Sequence, residues 1–335
     1  MNAHHRRAWL LGLALLLAAA VALALGAGVG STGFSSVLQA RHDPVAWQIV
    51  WDIRLPRTAG AWLAGALLGL AGAVAQGLFR NPLADPFLLG SASGATLGVA
   101  LALALFGVSP FATQWLVRLG LTGAAFGGAV AGVLLTLALA RGVQHTLRLL
   151  LAGVIVGVVL GALGSLITLM APETLPAMQA FLLGSTGFVG WPACVPMAAA
   201  FVLCLLVAWI VSPVLDGLSL GEATARSLGL PLGPLRLALV AVLALATGAA
   251  VAQTGLIAFV GLAAPHLVRS VVKTTHARLV ALSALAGGVL LLGADLLARA
   301  LIAPQELPVG VLTAVLGGGY LLWLMHFGRG SKGAL

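Results

Sequence analysis

Residues 237–268 read LALVAVLALATGAAVAQTGLIAFVGLAAPHLV and contain no Lys, Arg, Asp or Glu. How often this run crosses a bilayer decides the fold. A helix needs about 20 apolar residues to span the hydrocarbon, so the run is long for one crossing and short for two ordinary ones. Read as one crossing, it sets Arg226 and Arg236 on the opposite side from Arg269, Lys273 and Arg278. Broken at Gln253-Thr254-Gly255, it becomes two short, Gly/Pro-interrupted crossings and returns all five basic residues to one side. Lys and Arg are retained on the cytoplasmic side, so the broken reading is the expected one.

Working outward from that break, charge-free runs recur at 8–40, 58–79, 87–117, 119–140, 149–172, 174–215 and 307–328. They predict crossings near 8–28, 58–78, 88–106, 121–140 and 149–170. A short outer helix near 175–184 follows, then a sixth crossing that Trp191 and Trp209 bracket about 27 Å apart, as interfacial aromatics do. The two short crossings come next, and crossings near 279–298 and 309–327 end the chain. Both termini are then cytoplasmic, and of the 17 basic residues only Arg41, Arg54, Arg57, Arg118 and Arg299 lie outside. Arg6, Arg7 and the Ala22-Leu23-Ala24 stretch resemble a cleavable signal peptide, but the expectation is an uncleaved first helix.

Composition agrees with a membrane chain. Of the 335 residues 61% are hydrophobic and 7% charged, against roughly 25% charged in soluble domains. The formal charge of +9 is spread between apolar runs, which argues against a nucleic-acid partner and for membrane topology. Cys194 and Cys204 would stand about 15 Å apart on one helix, beyond disulfide reach. The chain reads as one transmembrane domain, 1–335. A weak inverted repeat relates halves of about 1–190 and 191–335: Ala73-Val74-Ala75-Gln76 recurs as Ala250-Val251-Ala252-Gln253, and Leu83-Ala84-Asp85-Pro86 echoes Leu262-Ala263-Ala264-Pro265. The two copies run in opposite directions across the membrane, as in transporters built from inverted repeats.

Enzyme chemistry finds no residues to carry it. No His/Cys/carboxylate cluster has metal-ligand spacing, so no metal site is expected, and no catalytic residue can be assigned. A phosphate-binding loop needs a Lys after a glycine-rich turn, and Lys273 and Lys332, the two lysines, lack that context. ATP and Mg, if used, belong to another subunit. An ion-coupled carrier is the alternative, since it needs an ionisable group within the bilayer; Asp295 comes nearest, but it stands four residues before Arg299 and suits an ion pair.

Three further features are candidates. Within the cytoplasmic segment of about 216–235, Leu220, Gly221, Glu222, Ala223, Arg226, Leu228 and Gly229 form a soluble-looking helix, either resting on the membrane or meeting a cytoplasmic partner. Arg54, Arg57 and Arg299 at the outer face suit carboxylate recognition or helix anchoring. Gly153, Gly157, Gly161 and Ser165 repeat every four residues, which suits either close packing or a wall beside a bulky substrate.

Arg54-Leu55-Pro56-Arg57, Asn81-Pro82-Leu83-Ala84-Asp85-Pro86 with Leu89-Gly90, Gly261-Leu262-Ala263-Ala264-Pro265-His266 with Arg269, and Leu307-Pro308-Val309-Gly310 occur in this order. Together they resemble the permease subunit of the bacterial ATP-binding-cassette importers for ferric siderophores, haem and cobalamin, over nearly the whole chain. The resemblance implies an all-α, type II importer fold of about ten transmembrane helices in the bacterial inner membrane. Its implied partners are a second copy of the chain, two cytoplasmic ATPase subunits holding ATP and Mg, a periplasmic substrate-binding protein and membrane lipid. It implies docking of the binding protein on Arg54, Arg57 and Arg299, and ATPase coupling through Leu220 to Leu230. The glycine stripe, with Met178 and Leu182 of the short helix after it, would line the pathway. No residue declares the cargo; the apolar Ala180 to Gly184 stretch would tolerate a flat macrocycle, which favours haem.

Overall fold

The computed structural model describes residues 3–30, 33–34, 43–106, 115–143 and 146–327. Arg41, assigned above to the outer side, and Arg329 and Lys332, counted among the inner basic residues, lie outside them. α1 (Ala3–Gly28) leads to a two-residue antiparallel ladder of β1 (Val29–Gly30) with β2 (Gly33–Phe34). α2 (Pro44–Ile49) starts where the Asp43 carboxylate accepts the Val45 N–H, a standard N-cap. It passes through a π-helical turn at Val50–Arg54 into α3 (Leu55–Phe79). There follow α4 (Ser91–Phe106), α5 (Trp115–Leu139), α6 (Thr146–Met170), the short α7 (Leu175–Leu183) and α8 (Trp191–Ser219). The chain continues as a six-residue α9 (Glu222–Ser227), then α10 (Leu232–Thr254), α11 (Val260–Val271), α12 (His276–Ala300) and α13 (Val309–Phe327).

Seven helices among the described residues are long and apolar enough to cross a membrane, and α4 and α13 are shorter apolar helices. The second short crossing expected in the 237–268 run corresponds to α11, whose 12 residues rise about 18 Å, less than the hydrocarbon thickness, and are preceded by non-helical chain from Gly255 to Phe259. The expected break therefore falls in place. Gly255 ends α10 at φ 68°, and a Cβ there would strike the Phe181 carbonyl.

α3 runs through the middle of the bundle, packed by α12, α8, α10 and α11, and is almost wholly buried. Lipid offers no hydrophobic drive for helix association, so small residues that bring backbones close do the work. Gly65 and Gly69 lie against the α12 backbone at Ser283 and Gly287, and Gly72 lies against Gly261 of α11. The two repeat copies do run oppositely. Gln76, near the end of α3, meets Arg269 at one end of the bundle, whereas Thr254, ending α10, accepts the Ser185 N–H at the other.

Candidate functional site

At the bundle end where α3 begins and α12 finishes, four charged side chains close into one cluster. Arg57 directs Nε and Nη2 at Asp295 Oδ1, 3.2 and 3.0 Å away, and Nη1 at both Glu306 oxygens, 3.0 and 2.7 Å away. Arg299 pairs with the other Asp295 oxygen one helical turn along and donates to the Gly26 carbonyl. The Thr186 hydroxyl also donates to Asp295. Asp295 is fully buried and Arg299 is 1% exposed.

This changes the expectation for the three arginines. The structure brings Arg57 and Arg299 together, but around Asp295 and Glu306, so two cations face two anions. Arg299 does not stand at the surface: the i,i+4 spacing turns it inward with Asp295, where it anchors helix ends. Arg54 stands apart, half-buried, with its guanidinium on the Gly28 carbonyl. Glu306 and Thr186 escaped sequence reading, although Glu306 immediately precedes the Leu307-Pro308 motif. The cluster also bears on the ion-coupled alternative. Every oxygen of Asp295 is already engaged, so loading a sodium ion or proton there would first have to break a buried pair.

At the opposite end, α9 hangs between Gly221, at φ 105°, and Gly229, at φ 75°. Both angles suit glycine and strain other residues. Only Ala225 of α9 is buried, while Leu220 and Leu228 are 66% and 62% exposed. The soluble-looking helix expected here is thus mostly exposed, and its six residues give less than two turns. Glu222 bridges Arg226 at 2.9 Å and the buried Arg236 at 3.1 Å. The hydrogen bond from Arg236 holds the Glu222 carboxyl below its ordinary range. Arg236 also donates to the Val143 carbonyl between α5 and α6, and Asp216 holds His276 at 2.7 Å.

The glycine stripe of α6 is tightly packed at its first residue and looser beyond it. A Cβ at Gly153 would enter the Leu88 carbonyl, and Gly157 and Gly161 face Ser93 of α4. The stripe seats α6 on α4, and its other face exposes Leu151, Ile155 and Val158. Met178 is buried beneath α7, whereas Leu182 and Ser165 are exposed. Of the six expected wall residues, Ser165 and Leu182 are exposed, Gly157 and Gly161 are half-buried, and Gly153 and Met178 are buried. Behind α7, a cavity of about 880 Å³ opens between α5, α8 and α10. Among the described residues no group of three metal-ligating side chains gathers.

The FecCD transport family model matches residues 15–327. The haemin transport system permease HmuU of Yersinia pestis is 37% identical over 329 residues, covering 97% of each chain. The vitamin B12 import system permease BtuC of Salmonella paratyphi A is 42% identical over 320 residues, 95% of this chain and 94% of that one. Among solved structures, an inward-facing metal-chelate type ABC transporter superposes with a TM-score of 0.84 at 31% identity, covering 94% of this chain and 98% of that one.

Proposed function

We propose, since the chain belongs to the FecCD transport family, that it carries haem from periplasm to cytoplasm as the permease of an ATP-driven importer. Similarity to haemin and vitamin B12 permeases along almost the entire chain is the observation that carries the importer assignment. The choice of haem rests on less: the exposed apolar Leu182 and Leu183 of α7 and the haemin relative. Uptake by the reconstituted complex, compared for haem, a ferric siderophore and cobalamin, tests it. Haem uptake no faster than the other two ends the cargo assignment.

In this reading the chain pairs with a second copy and with two ATPase subunits, which supply ATP hydrolysis and Mg. Two exposed leucines flanking a short charged helix suit a cleft in a soluble partner. Leu228→Glu should therefore leave hydrolysis running and abolish uptake, as ATPase and transport assays on one preparation will read. Normal uptake would make α9 a surface helix only. Leu228 is the better probe than Gly221, where any side chain strains the backbone by itself.

Arg54 and Arg57 are the proposed contacts for carboxylates of the binding protein. Arg54 tests this without disturbing the neutral cluster. Arg54→Glu should weaken association roughly tenfold or more, with restoration by a Glu→Arg change on the partner. Equal affinity at low and high salt for both forms would move docking elsewhere.

A further inference from the structure

Gln76 and Gln253 occupy matching places in the repeat, yet their surroundings differ. Gln76 is buried; its amide donates to the Leu262 carbonyl and its oxygen receives Arg269. Gln253 lines the cavity behind α7, where its side chain makes no hydrogen bond to the described residues. An amide with two donors and an acceptor thus points into a space whose walls are otherwise mostly apolar, including Phe126, Ala180, Phe181 and Pro196. At about 880 Å³, that space is within the range of roughly 300–1,000 Å³ for ligand pockets, and it has their pattern of apolar walls with few polar groups.

Its position indicates the occupant. The helices flanking the mouth, α5 and α8, continue as exposed rows such as Leu119, Leu135, Val195 and Val202, so hydrocarbon bathes the opening. Gln253 is next to the last residue of α10, where a membrane helix nears the polar boundary and where phospholipid esters lie. We infer that the cavity is a resident-lipid site: one phospholipid lays its acyl chains along the cleft and accepts the Gln253 N–H on an ester carbonyl. The tails would press on Ala177, Ala180 and Phe181 of α7. The inference is independent of the importer reading.

The test uses the whole chain in phosphatidylcholine nanodiscs containing a minor fraction of phosphatidylcholine with a diazirine in its acyl chain. Photolabel should concentrate on the α5, α7 and α8 residues of the cleft and saturate at one lipid per chain. Gly123 lines the cleft, and a Cβ there meets nothing within 4 Å. Gly123→Phe should therefore fill the space and bring cleft labelling to background. Gln253→Leu should retain the lipid about fivefold less well, the equivalent of one neutral hydrogen bond. Label confined to the outer rows of α6 and α13 overturns the site, as does undiminished cleft labelling of Gly123→Phe. A disulfide between two copies of Gly123→Cys would show a second chain covering the face, which also overturns it. If Gly123→Phe fails to fold, the wild-type label map and Gln253→Leu decide.

Discussion

Asp295→Ala should cost the chain about 3–5 kcal/mol, the penalty for removing one partner from a buried ion pair. Arg299 is 1% exposed and cannot swing out to water, and Arg57 would keep only Glu306. The substitution also frees the Thr186 hydroxyl, which ties the loop after α7 to the same carboxylate. Reversible unfolding in mixed micelles should show the loss. Two companions distinguish pairing from packing. Glu306→Gln, at a site 30% exposed, should cost no more than about 1 kcal/mol. Asp295→Leu combined with Arg299→Leu should recover much of the stability, because an apolar pair can replace a buried ionic one. A single variant as stable as wild type would show that the cluster does not hold these helix ends.

Gly72→Ala should be almost as damaging, at about 3 kcal/mol or more, the upper end of overpacking costs. The added methyl would enter the Gly261 carbonyl, and two packed backbones must separate to admit it. Gly293→Ala is the matched control, since a Cβ there meets nothing within 4 Å on a comparable helix. It should gain roughly 0.5–1 kcal/mol from helix propensity. Equal stability changes for the two alanines in the same unfolding assay would refute close backbone contact as the basis of the α3 core.

The fold was legible where physics acts along the chain. Bilayer thickness and the siding of Arg226, Arg236 and Arg269 sufficed to break the 237–268 run, and the break stands at Gly255. Gly153, Gly157 and Gly161 were legible as a stripe but not as to which neighbour they meet, because spacing says nothing of the neighbour; Gly153 lies against the Leu88 carbonyl, and the other two face Ser93 of α4. The Asp295 cluster was half legible. Asp295 and Arg299 announce themselves by their i,i+4 spacing, whereas Arg57 and Thr186 reach the same point from far along the chain. Long-range convergence of that kind is set by packing, and no local pattern records it.

The attachment of α9 has a mechanical consequence. Gly221 and Gly229 set α9 off from the chain on either side at positive-φ turns. A push on the helix would bring Ala225 down on the small surface of Gly217 in α8. A pull would instead load the ion pair from Glu222 to Arg236, which donates to the Val143 carbonyl at the hairpin between α5 and α6. The two directions of force thus meet different parts of the bundle.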